Sequence, residues 1–98
     1  MIKVAGTSRS TAVAGAIAAV IREETKVSVR AIGAGAVNQA VKAICYAQKF
    51  LAEDGIDVVC VPEFVKVQID EQEKTAVCLN IRKQESGTEI TEPNAESA

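Results

Sequence analysis

Apolar and polar positions alternate over Ile2-Lys3-Val4-Ala5 and the run stops at Gly6, which predicts a short strand followed by a loop at Thr7-Ser8-Arg9. From Thr11 to Glu24 the only breaker is Gly15, and Val13, Ile17, Val20 and Ile21 recur at helical spacing, so a first helix is predicted there with Ser8 or Ser10 as its cap. Lys26 to Ile32 sets Val27, Val29 and Ala31 against Ser28, Arg30 and Ile32, a second strand that ends at Gly33-Ala34-Gly35. A second helix follows from about Ala36 to Ala52. After Asp54-Gly55 the run Ile56 to Val61 is rich in β-branched residues, Pro62 marks a bulge or an edge position, and pairing resumes at Phe64. Val65, Val67 and Ile69 alternate with Lys66, Gln68 and Asp70. The same alternation returns at Val77, Leu79 and Ile81 against Cys78, Asn80 and Arg82, giving a hairpin with a five-residue acidic tip.

The order βαβαββ implies an α/β two-layer sandwich, a four-stranded mixed sheet with both helices on one face and right-handed crossovers. Alternation then leaves Lys3, Ser28, Arg30, Lys66, Gln68, Asn80 and Arg82 on the uncovered face, four of them basic and none acidic. The second helix gathers Val37, Ala40, Val41, Ala43, Ile44, Ala47, Phe50 and Leu51 over half its circumference, wider than the ~100° stripe needed to cover one sheet. The first carries no charge between Thr11 and Ile21, and Ala12, Gly15, Ala16 and Ala19 permit close approach of another backbone. Both features point to a homodimer or a tetramer.

Ninety-eight residues supply one core. Residues 1–83 form the expected domain, and 84–98 an acidic tail expected to be disordered, because Glu, Ser, Thr, Pro and Asn replace the apolar residues there. The tail holds Glu85, Glu89, Glu92 and Glu96 and no cation. Of the 11 Lys and Arg and 13 Asp and Glu in the chain, residues 1–83 therefore keep 11 positive and 13 − 4 = 9 negative, a net of +2. Affinity for a polyanion must then come from the arrangement of cations rather than their number. The three cysteines, Cys45, Cys60 and Cys78, have no C-x-x-C spacing and there is no His. They read as buried thiols of a reducing, cytoplasmic protein, with Cys60 facing Cys78 across neighbouring strands as the alternative. Thr11–Ile21 is far short of the ~20 residues of a membrane span, so no membrane partner is expected.

Without His there is no Ser-His-Asp or Cys-His arrangement, and neither a Walker lysine nor paired cysteines occur, so no enzyme, metal site or small-molecule substrate is expected. Gly33-Ala34-Gly35 at a strand-to-helix junction matches half of a dinucleotide fingerprint, but Asn38 stands where the third glycine belongs, and no cofactor is expected. A backbone contact to a nucleic-acid phosphate suits such a junction better; the bland alternative is a tight turn.

Ala31 to Ala43 (AIGAGAVNQAVKA), with Ser-x-x-x-Ala-Val-Ala-Gly-Ala-Ile over Ser8–Ile17 before it and Ile56–Pro62 and Val67–Asp70 after it, closely resembles the bacterial stage V sporulation protein S family over residues 2 to about 83. The whole order of segments agrees. That family is related to the Alba chromatin proteins, so the resemblance implies an Alba-like fold, a dimer, and a nucleic-acid-binding role, for DNA or RNA with little sequence preference, in sporulation or related development. Alba contacts come from the loop before the first helix, the start of the second, and a basic hairpin. Carried over, they are Ser8, Arg9 and Ser10, then Gly33, Gly35, Asn38, Gln39 and Lys42, with Lys49 on the same edge. The sequence departs from that pattern where Gly33, Gly35 and Gln39 replace basic residues, and where the hairpin carries Asp70, Glu71 and Glu73 with only Lys74. These departures keep a different class open, an oligomeric protein-interaction module that has lost nucleic-acid binding.

Overall fold

The computed structural model describes residues 1–84, so 85–98 of the expected tail lie outside the described residues, while its first residue, Gln84, donates its backbone N–H to the Asp57 carbonyl at 2.8 Å. The elements are β1 (Ile2–Val4), α1 (Ser10–Glu24), β2 (Lys26–Ala31), α2 (Ala34–Ala52), β3 (Val58–Ile69) and β4 (Gln72–Lys83). They form a mixed four-stranded sheet in the order β1-β2-β4-β3, with β1 and β2 parallel and the other pairs antiparallel. This is the βαβαββ architecture that the alternation predicts.

The helix layer of the core is built largely from alanines, the sheet layer from Val, Leu and Ile. Ala14, Ile17, Ala18 and Ile21 of α1 and Ala36, Ala40, Ala43, Ala47 and Leu51 of α2 are buried, with Val4, Val27, Val29, Ala31, Val58, Leu79 and Ile81 of the sheet beneath them. Small side chains let the helices approach each other closely, and a few large ones fill the space that remains. Neither Ser8 nor Ser10 caps α1: Arg9 is its N-cap, with no side-chain hydrogen bond, and the Ser8 hydroxyl accepts the Ala5 N–H instead, at 2.9 Å. The second helix starts two residues before its expected position, because Gly33 turns the chain at φ 90° and its carbonyl accepts the Val37 N–H at 3.0 Å.

Strand β3 is continuous. Pro62 pairs with Leu79 without a bulge, since β3 is an edge strand where the missing N–H is tolerated. The alternation is therefore not reset at Pro62, and Lys66 and Gln68 fall on the helix side. The uncovered face instead carries Lys3, Lys26, Ser28, Arg30, Asn80 and Arg82 with Val59, Val61, Glu63, Val65, Val67 and Ile69. It contains an acid, Glu63, contrary to the expectation of a face without acidic residues.

The hairpin tip is two residues long, not five. Asp70 and Glu71 both have positive φ, 50° and 65°, the signature of a type I′ turn, and Glu73 and Lys74 lie inside β4. Glycine tolerates this conformation where glutamate is strained, so Glu71→Gly is expected to raise stability by about 0.5–1 kcal/mol in chemical denaturation. A loss of stability would contradict the turn.

Of the cysteines, only Cys78 is buried; Cys45 and Cys60 are exposed. Cys45 lies on the outer flank of α2. Cys60 sits on the helix side of β3, where beyond Val58 the helices no longer reach. The register pairs Cys60 with Ile81 and Cys78 with Glu63, so the two thiols occupy opposite faces and do not meet. Partial burial pushes the Cys60 thiol above its ordinary pKa, with a smaller upward push from Cys78. Next along that strand face come exposed Pro62 and Phe64, the latter 78% exposed.

Candidate nucleic-acid interface

Both helices begin at one edge of the molecule. Loop residue Gly6 lies beside Gly35: a Cβ on Gly6 would sit in ordinary van der Waals contact with Ala36 N, at 3.8 Å, and one on Gly35 with the Gly6 Cα, also at 3.8 Å. Because of this contact, the loop that leads into α1 rests on the first turn of α2. The sequence marks Gly6 only as the end of the first strand; a lone loop glycine carries no signal of what it touches.

Side chains reinforce the junction. The Gln39 amide donates to the Ser8 carbonyl at 2.7 Å, and the Lys42 ammonium donates to Gln39 Oε1 at 3.1 Å. Ser8, Gln39 and Lys42 thus form one hydrogen-bonded chain across 34 positions of sequence. Gln39→Ala removes its centre. The expected cost is about 0.5–1.5 kcal/mol, read as a lower melting temperature and faster hydrogen exchange at Ser8 to Ser10. Unchanged exchange there would mean that the loop is held by other contacts.

Arg9 is exposed as the N-cap of α1, Ser10 is half-buried as its first residue, and Asn38 is exposed in the second turn of α2. Gly33 and Gly35 hold the start of α2. Lys49 is exposed and shares the Lys42 face, about 10 Å further along the helix at 1.5 Å per residue. The structure therefore gathers Ser8, Arg9, Ser10, Gly33, Gly35, Asn38, Gln39 and Lys42 at one edge and leaves Lys49 at a distance from it.

The electrostatics of this edge come from the backbone as much as from side chains. Neither helix has an acidic residue in its first turn, and neither has a side-chain cap. The first N–H groups of each helix keep their donor capacity, and both dipoles present their positive ends here. With Arg9 and Lys42 beside them, these groups favour an anion.

The open sheet face is a weaker candidate. The Ser28 hydroxyl donates to Asn80 Oδ1 at 2.8 Å, and the Asn80 amide donates to Glu63 Oε2 at 2.7 Å and to the Val61 carbonyl at 3.3 Å. This network anchors a carboxylate in the middle of the face. Among the described residues no helix is long and apolar enough to cross a membrane.

Fold and edge together define a small α/β two-layer protein with an anion-favouring rim where its two helices start. The family model for stage V sporulation protein S (SpoVS) matches residues 1–84, and the chain belongs to that family. It is a sporulation-related protein.

Proposed function

We propose that the protein is a cytoplasmic, non-enzymatic regulator that binds DNA or RNA weakly, through backbone phosphates, as a homodimer. The observation that carries this reading is the convergence of two uncapped, acid-free helix starts, tied together by Gly6 against Gly35 and by Ser8, Gln39 and Lys42. Such donors recognise phosphate without reading bases, which suits binding with little sequence preference.

Dimerisation is assigned to the helix side of β3 and its surroundings. Phe64 and Pro62 are exposed there, Val77 beside Phe64 is half-buried, and Val41 on the flank of α2 is 46% exposed. Exposed apolar groups of this size favour a partner, and a second copy supplies an identical surface. Pairing doubles the phosphate-facing edge, which single subunits with so few cations need at physiological salt.

Fluorescence titration of a short duplex and a single-stranded RNA at two salt concentrations tests the reading. Arg9→Glu with Lys42→Glu removes two cations per subunit and is expected to weaken binding at least tenfold, at about 1.4 kcal/mol per decade, and to flatten the salt dependence. Unchanged binding would reject this edge. The acidic residues Asp70 and Glu71 at the hairpin tip support the second reading, a protein-interaction module; absence of nucleic-acid binding at low salt would favour it.

A further inference from the structure

Where the end of the hairpin arm returns beside the ends of β1 and β2, a cleft of about 420 Å³ opens, lined by Lys3, Val4, Ala5, Gly6, Arg30, Ile32, Val67, Gln68 and Ile69. Its volume falls within the range of about 300–1,000 Å³ usual for small-molecule sites. Lys3 and Arg30 are register partners on adjacent parallel strands, so two cationic side chains leave one face of the sheet from backbones roughly 4.8 Å apart, and both line the cleft. The ion pairs among the described residues are Arg22 with Asp54 and Lys66 with Glu73, and neither involves this pair. The Nε of Arg30 is enclosed and without a hydrogen-bond partner. Glu63, across β4 from Arg30 on the same face, is engaged by Asn80.

Like charges on adjacent strands repel, and an enclosed guanidinium donor without an acceptor is costly. Both penalties are relieved by one anion. Apart from Gln68, the remaining side chains of the lining, among them Ala5, Ile32, Val67 and Ile69, are apolar and suit a short hydrocarbon body next to that charge. We propose that this cleft is a binding site for a phosphate monoester bearing a small apolar substituent, its phosphoryl oxygens held by Lys3 and Arg30. A phosphate monoester is close to dianionic at neutral pH, matching the two cations, and its planar O–P–O edge suits a guanidinium. The cleft borders the nucleic-acid edge at Gly6, but its two cations, Lys3 and Arg30, are not among that edge's side chains, so the Lys3 and Arg30 variants test it separately from Arg9 and Lys42.

Amide and arginine side-chain NMR spectra of the full chain, titrated with butyl phosphate, test it. Saturable shifts are expected at Lys3, Arg30, Ile32, Val67 and Ile69, with tighter binding than inorganic phosphate because of the apolar walls, and none with butylammonium. Arg30→Gln and Lys3→Gln are each expected to weaken binding about tenfold or more, as loss of a charge-assisted hydrogen bond does. Should Arg30→Gln fail to fold, Lys3→Gln alone carries the comparison. A trinucleotide with a 5′-phosphate that reproduces the shifts while its 5′-hydroxyl form does not supports a strand end as the source; shifts from butyl phosphate alone support a free small molecule. Absence of saturable shifts, equal shifts from butylammonium, or full affinity in a folded Lys3→Gln variant would overturn the assignment.

Discussion

Phe64→Arg is expected to abolish the proposed dimerisation and, with it, to lower nucleic-acid affinity by tenfold or more. The ring is 78% exposed on a strand face that the helices do not cover, so its replacement costs the fold little. In a dimer the same ring lies at the centre of the paired surface, and a buried unpaired guanidinium there would prevent association. Two linked edges gain about 10²-fold or more over one, which is why assembly and binding should fall together. Sedimentation gives the mass and titration the affinity. A wild-type protein that already sediments as a single subunit, or a variant that remains a dimer, contradicts the assigned surface.

The second large effect is on stability. Ile17 is fully buried, and with Ile21 it is one of two large buried side chains of α1, whose other buried residues are the alanines Ala14 and Ala18. Ile17→Ala leaves a cavity that the buried alanines of the two helices, too short to reach into it, cannot collapse to fill. The expected loss is about 2–5 kcal/mol, a large part of the stability of a domain this size. A melting temperature at least about 10 °C lower should follow. A loss below about 1 kcal/mol would mean that the helices move together to close the space.

Both predictions rest on regions that differed in how far the sequence disclosed them. Alternation in β1, β2 and β4 identified the inward residues, because one face of these strands meets the helices and the other does not. In β3 the same rule misplaced Lys66 and Gln68. Val65 and Val67 look inward by composition, but pairing runs unbroken through Pro62, and the register set at Val58 carries them to the open face. A proline signals an edge and a bulge alike, and only the partner strand distinguishes them. The burial expected of Cys45 and Cys60 failed for a related reason: it depends on how far the helices reach over the sheet, which periodicity does not encode.

The candidate edge was legible in part. Gly33 and Gly35 announced a strand-to-helix turn, and the structure adds the positive φ at Gly33 and the contact of Gly35 with Gly6. The bond from Gln39 to Ser8 spans 31 positions, and no local pattern indicates it. That the cations Lys3 and Arg30 are neighbours became visible only with the register of β1 on β2, and the presence of Glu63 on their face only with the unbroken pairing of β3.

The most direct test of the whole account is an amide chemical-shift titration of the full chain with a short duplex of arbitrary sequence at low salt. Perturbations concentrated at Gly6 to Ser10 and Gly33 to Lys42, fading as salt is added, are the predicted result. Perturbations confined to the β3–β4 arm or the open sheet face, or none at all, would contradict it.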